Sequence, residues 1–160
     1  MPTIETAVDT DGSSILQVTA AISAFNPMEV SCVEELWNEY LDKGQASGYT
    51  FLVYRDGDQV PGYACFGPHP LTEGTFDLYW IAVDPAARQR GLGRALLSHV
   101  EAEVEAQAGR LLVIETSSTP DYAPARGFYI ACGYTQEAVI RDFYAPGDDL
   151  VLFCKRLPGG

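Results

Sequence analysis

The chain has 160 residues, 22 of them acidic and 10 basic, for a formal net charge of −12. That length suits one domain, residues 1–160, that buries a core without staples, and the balance of 47% hydrophobic to 20% charged residues is that of an ordinary globular protein. The acidic excess argues against nucleic acid or an anionic membrane as a partner, since either would want a basic face, and it favours a cationic small molecule.

Residues 3–8 alternate weakly, as a short first strand would, until Asp9-Thr10-Asp11-Gly12 interrupts. From Ser13 the apolar set Ile15, Val18, Thr19, Ile22 and Phe25 has helical spacing. Asn26-Pro27 then opens a second helix, with Pro27 at its first position and Glu29 placed for a capping box; it carries Val33, Leu36, Trp37, Tyr40 and Leu41 toward Gly44. Residues 49–55 and 60–66 form a β-hairpin around Asp56-Gly57-Asp58-Gln59, with Pro61 marking an early or edge position in its second strand. In the loop that follows, His69 lies between Pro68 and Pro70 and reads as an exposed loop residue, with catalysis as the alternative. Residues 75–83 are a strand on which period two puts Asp77, Tyr79 and Ile81 on one face.

The chain is organised around the turn after that strand. Beyond Asp84-Pro85, apolar residues recur at Leu92, Leu96, Leu97, Val100 and Val104, so a helix starts at Gly91-Leu92-Gly93. The first N–H groups of such a helix lack intrahelical partners and carry the positive end of its dipole, and glycine lets a ligand reach the main chain. Arg88, Arg90 and Arg94 crowd a helix end where cations are locally unfavourable, which points to a bound polyanion such as a phosphate. Leu96 stands where a dinucleotide fingerprint needs its third glycine, and Arg94-Ala95 stands where a phosphate-loop NTPase needs Lys-Ser/Thr, so neither motif fits.

Residues 110–116 form a further strand, which makes strand, helix and strand a parallel pair with a right-handed crossover and a ligand mouth at the strands' carboxyl ends. A short helix over 123–132 ends at Gly133, two strands over 135–144 and 150–156 form a last hairpin, and Pro158-Gly159-Gly160 is a tail. Cys32, Cys65, Cys132 and Cys154 are scattered and only two histidines are present, so neither a metal site nor a redox motif is expected. No apolar run approaches a membrane span and the acidic start is unlike a signal peptide, so a reducing cytoplasm is the expected setting.

Arg88-x-x-Gly91-x-Gly93, between Ile81-Ala82-Val83-Asp84-Pro85 and Ala95-Leu96-Leu97, resembles the acyl-CoA-binding motif of the GCN5-related N-acetyltransferases (GNAT). Ala125-Arg126-Gly127-Phe128-Tyr129 through Gly133-Tyr134 resembles a second segment of that family at the expected distance. The resemblance implies an α/β fold: a mixed, mostly antiparallel sheet with one splayed parallel pair, flanked by helices. It also implies acetyl-CoA as cosubstrate. Main-chain groups of Arg88, Gln89, Arg90, Gly91, Leu92 and Gly93, with Arg94 beside them, would hold its pyrophosphate. The main chain of Ile81, Ala82 and Val83 would pair with the pantetheine arm. Tyr129 falls where the family commonly has a general acid, and Asp77 where several members have a carboxylate. Glu115 ends the adjacent strand facing the same mouth, as a second candidate base. Where many members have an asparagine a turn before the helical tyrosine, this chain has Asp121-Tyr122-Ala123.

The function expected from these residues is acetyl transfer to a primary amine of a small, cationic acceptor. A non-catalytic acyl-CoA-binding module and an unrelated phosphate-binding domain stand as alternatives. Pairing through the C-terminal strands would give a homodimer.

Overall fold

The structure, a computed structural model, describes residues 1–158 apart from the side chain of Gln89; Gly159 and Gly160 of the expected tail lie outside the described residues. The β-rich runs become β1 (Thr3–Thr6), β2 (Thr50–Asp56), β3 (Gln59–Pro68), β4 (Thr75–Val83), β5 (Leu111–Ser117), β6 (Thr135–Ala145) and β7 (Asp148–Arg156). They form one sheet in the order β1-β2-β3-β4-β5-β7-β6. Only β4 and β5 pair in parallel, and every other pairing among the described residues is antiparallel.

Helices cover both faces. α1 (Gly12–Ala21) and α2 (Pro27–Lys43) lie over β2 and β3, where Ile15, Val18, Val33 and Trp37 meet Phe51, Val53, Tyr63 and Cys65. α3 (Leu92–Ala106) and α4 (Ala123–Ala131) lie on the other face, where Leu96, Leu97, Val100 and Val104 meet Leu52, Leu78, Ile114 and Phe153. Each such fully buried side chain stabilises the fold by about 1.5–3 kcal/mol. The period that predicted α3 from the sequence is therefore the stripe that anchors it. No helix among the described residues is long and apolar enough to cross a membrane.

α2 begins with the expected capping box: Asn26 Oδ1 accepts from the Glu29 N–H at 2.8 Å and Glu29 Oε1 accepts from the Asn26 N–H at 3.2 Å. The helix before it is shorter than its apolar spacing predicts. α1 stops at Ala21, and Ile22 is extended with ψ 115°. Phe25 instead packs edge-on against Trp80 of β4, ring centroids 5.2 Å apart, so tertiary packing takes the 22–26 segment out of the helix and lays it across the sheet.

Pro61 takes the expected early position, third in β3, where the β2–β3 register shifts between Tyr54 and Asp56 opposite it. One strand expectation is corrected. The face shared by Asp77, Tyr79 and Ile81 does not exist as such. Cys65 pairs with Trp80 and Phe66 with Leu78, so Tyr79 is an extra residue in β4, a bulge that reverses the alternation. Before it Phe76 and Leu78 enter the core under α3; after it Ile81 and Val83 pack against that core and Trp80 and Ala82 turn to the α1–α2 side.

Candidate functional site

The bulge coincides with the point where the parallel pair separates. β4 and β5 are paired from Thr75↔Leu111 to Leu78↔Ile114, and beyond that they splay. The Asp84 N–H donates to the Pro61 carbonyl of β3 at 2.7 Å, so strand alternation turns the main-chain groups of Val83 and Ile81 to the opposite, unpaired edge. Ala82 turns its own main-chain groups to β3 while still lining the cleft along that edge. An unpaired strand edge is a template for an extended amide-bearing chain.

A cleft of about 490 Å³ runs along that edge, lined by Ile81, Val83, Arg88, Gly91, Gly93, Arg94, Tyr122, Phe128 and Tyr129 among others. At one end is the organising turn. Asp84 caps it, its Oδ1 accepting from the Ala86 N–H at 2.9 Å, and Pro85–Arg90 make a 3-10 turn that delivers Gly91 at φ +75°. Gly91 caps α3, and the first intrahelical bond there is Ala95 N–H to Gly91 carbonyl at 3.1 Å. The N–H groups of Leu92, Gly93 and Arg94 precede that bond and are left for a ligand.

The two glycines serve different needs. A Cβ at Gly91 would meet nothing within 4 Å, so this position needs glycine for its left-handed backbone and leaves open space above. A Cβ at Gly93 would lie 3.2 Å from Phe128 Cζ, so this glycine admits the close approach of α4. The Leu92 side chain is buried at 2% exposure and only its backbone can serve a ligand. Arg90 is exposed and is not among the residues lining the cleft, while the side chain of Gln89 lies outside the described residues. Among the described residues none of Arg88, Arg90 and Arg94 pairs with a carboxylate, which leaves the cations available to an anion.

At the other end α4 brings Tyr129 to the cleft wall. The residue is 8% exposed, with its ring among Phe128, Tyr134 and Phe153 at 5.6, 6.3 and 5.8 Å. Burial pushes its phenol well above the ordinary tyrosine value. The group is therefore a persistent O–H donor, and a weaker acid than an exposed phenol.

Asp77 and Glu115, distant in sequence, line a second recess of about 340 Å³ with His69, Pro70, Tyr79 and Val113, at the foot of the splay. Parallel pairing of Asp77 with Val113 is what brings the two carboxylates to one mouth. His69 Nδ1 lies 2.7 Å from Asp77 Oδ2. Tyr79 is pushed up to about 12, mainly by burial and then by the Asp77 carboxylate. Nearby, Tyr122 Oη donates to Glu29 Oε2 at 2.6 Å. Tyr144 is pushed up to about 12 by burial, then by Glu115, Asp148 and Glu29. Asp142 is absorbed by the β6–β7 turn, its Oδ1 accepting from the Gly147 N–H at 2.8 Å. Among the described residues no group of three or more His, Cys, Asp and Glu side chains is disposed to hold a metal ion.

Glu29 caps α2 and His69 is an exposed loop residue, as the sequence predicts; what the sequence does not show is the second partner of each, Tyr122 and Asp77, supplied by other elements.

Residues 47–136 match the acetyltransferase (GNAT) domain family. The chain is 36% identical over 78 residues to the [ribosomal protein bS18]-alanine N-acetyltransferase of Escherichia coli strain K12, a match spanning 49% of this chain and 50% of that protein. The chain thus spans about half the length of the curated relatives it first matches. A crystal structure of a GNAT-family protein from Desulfovibrio desulfuricans superposes with TM-score 0.95 at 41% identity, covering 98% of this chain and 99% of that one. The structure of yncA from Salmonella typhimurium with its cofactor acetyl-CoA superposes with TM-score 0.76 at 23% identity, covering 98% and 94%. With a sheet splayed at its one parallel pair and a glycine turn opening α3, the chain belongs to the GNAT acetyltransferase family.

Proposed function

We propose that this protein transfers an acetyl group from acetyl-CoA to the primary amine of a small, cationic acceptor, by direct attack in a ternary complex. The observation that carries the reading is the continuity of the cleft from the Gly91–Arg94 helix start, along the free edge of β4, to Tyr129. The residues fit acetyl-CoA on three counts. The space above Gly91 is open, the first-turn N–H groups and Arg88 and Arg94 suit a pyrophosphate, and Ile81 and Val83 suit the amides of the pantetheine arm. Bound there, acetyl-CoA supplies a thioester carbonyl for an amine to attack.

The chain's own groups cover the rest of the chemistry. The strand edge and helix start fix the thioester in place, worth several kcal/mol when both reactants are oriented. Tyr129 donates to the departing sulfur. Its raised value makes outright transfer to a thiolate uphill, since a thiol ordinarily titrates near 8.5, so the hydrogen bond to sulfur is the larger part of its contribution. Asp77 and Glu115 offer carboxylates for the acceptor's ammonium, and with Glu29 and Asp148 they make the mouth attractive to cations. Four free thiols suit a reducing cytoplasm.

A second reading has a protein N-terminus as acceptor, favoured by the relative from Escherichia coli. Calorimetry with acetyl-CoA, repeated on Arg88→Ala and Gly93→Glu, tests the cofactor site, with affinity lost in both variants as the expected result. Turnover is then compared on diamines and on peptides with a free N-terminal alanine. Preference for the peptide would replace the small acceptor, and turnover of neither alongside intact binding would favour a non-catalytic acyl-CoA-binding module.

A further inference from the structure

His69 is held more firmly than a loop histidine needs to be. Pro68 and Pro70 restrict its backbone on both sides, its N–H donates to the Thr75 carbonyl at 2.8 Å, and its carbonyl accepts from Thr72 Oγ1 at 2.8 Å. The ring is then fixed by Asp77, whose side chain is only 16% exposed while that of His69 is 53% exposed. The carboxylate thus stands behind the imidazole, and the imidazole stands at the mouth.

We infer that His69 is the base that deprotonates the acceptor amine, with Asp77 as its positioning residue. The inference rests on the acetyl-transfer reading above and changes the assignment of one of its groups. Asp77 Oδ2 accepts a hydrogen bond from Nδ1–H, which fixes the tautomer and leaves the Nε2 lone pair free. The titratable groups facing the ring are Asp77 and Tyr79 from β4 and Glu115 from β5, with Tyr49 behind, its ring edge-on to Tyr79 at 5.3 Å. Tyr79 stays protonated at neutral pH and competes for no proton from the amine. Glu115 is exposed on the far wall, where it can orient the ammonium.

The proton inventory closes. The ammonium gives one proton to Nε2, directly or through one water. The freed nitrogen forms the N–C bond, and the C–S bond breaks with its electron pair on sulfur. The second proton of the nitrogen goes to solvent, the thiolate leaves under the Tyr129 hydrogen bond and takes up a proton from solvent, and the imidazolium returns its proton to solvent. One proton is released per turnover, and no further reactant is needed.

The test is the pH profile of kcat/KM for an amine substrate in the native protein and in His69→Gln, Asp77→Asn and Glu115→Gln, with acetyl-CoA affinity as the check that each variant is folded. His69→Gln is expected to lose about 10²–10⁴-fold in kcat/KM, the usual scale for a lost general base, and to lose the acid limb of the profile with acetyl-CoA affinity unchanged. Asp77→Asn should displace that limb, and added imidazole should restore part of the rate of His69→Ala. If His69→Gln keeps the acid limb and Glu115→Gln loses it, Glu115 is the base and the inference is overturned while the acetyl-transfer reading stands. If the native protein acetylates no amine, that reading falls and takes the dyad with it.

Discussion

Tyr122 and Glu29, 93 positions apart, meet in a 2.6 Å hydrogen bond that ties the first turn of α2 to the segment entering α4. Phe25 stands beside it, ring centroid 6.4 Å from that of Tyr122. The contact closes the gap between the 22–26 segment and the α4 side of the cleft. Burial, and then the Glu29 carboxylate, keep the Tyr122 hydroxyl protonated well past the ordinary tyrosine range, so the donor persists across working pH. Tyr122→Phe should therefore loosen the wall by about 1.5–3 kcal/mol, the scale of a hydrogen bond to a charged group. Hydrogen exchange should quicken over residues 22–30, and unchanged exchange there would mean that the aromatic packing alone holds the segment.

The two glycines at the start of α3 should respond differently. Gly91→Ala places a Cβ in open space but on a backbone at φ +75°, which costs about 1–2 kcal/mol. It should lower stability and weaken acetyl-CoA binding together. Gly93→Ala instead presses on the Phe128 ring 3.2 Å away while gaining helix propensity, two effects of about 1 kcal/mol that nearly cancel in stability. Thermal denaturation of both variants, with Gly93→Ala also made beside Phe128→Leu, separates backbone strain from contact: the second change should relieve a contact and leave strain untouched.

Tyr129 yields a pH prediction. A general acid must be protonated to work, and burial raises this phenol above its ordinary value near 10. No basic limb in kcat should therefore come from Tyr129 below about pH 10. Tyr129→Phe should lower kcat by about 10²–10⁴ and leave the acetyl-CoA dissociation constant nearly unchanged. A basic limb that Tyr129→Phe removes at lower pH would contradict the buried, protonated hydroxyl.

Acid stability should depend on Asp11. Its side chain is 4% exposed and bound by Arg55 through two nitrogens, Nη1 at 3.0 Å and Nη2 at 2.9 Å. Burial alone would raise its carboxyl, but the guanidinium and the Val8 N–H hold it below the usual range. A depressed value contributes stability above the unfolded value near 3.9, and that contribution is lost as pH falls through the folded value. The unfolding free energy of Asp11→Asn from denaturant titration should be lower by about 2 kcal/mol at pH 7, less than for a fully buried pair because Arg55 reaches solvent. The variant should also be less sensitive to acid than the native protein between about pH 5 and pH 3.

Much of the fold was legible because its signals are local. The stripe from Leu92 to Val104, the Asn26–Glu29 cap and the Asp56–Gln59 turn each depend on residues a few positions apart, and each formed where its pattern predicted. The glycine turn was legible for the same reason, since positive φ and unpaired first-turn N–H groups follow from residue type and helix geometry alone. What period and propensity could not carry was the bulge at Tyr79. One extra residue in β4 reverses every side chain beyond it, and only the pairing with β3 reveals it. The mouth was legible in part: the parallel pair that sets Asp77 and Glu115 at one recess was expected, whereas His69 joins them only because the β3–β4 loop folds back onto its own strand. Sequence chemistry determined which residues could grip a phosphate or move a proton, whereas register and splay, properties of strands brought together, decided which of them share a site.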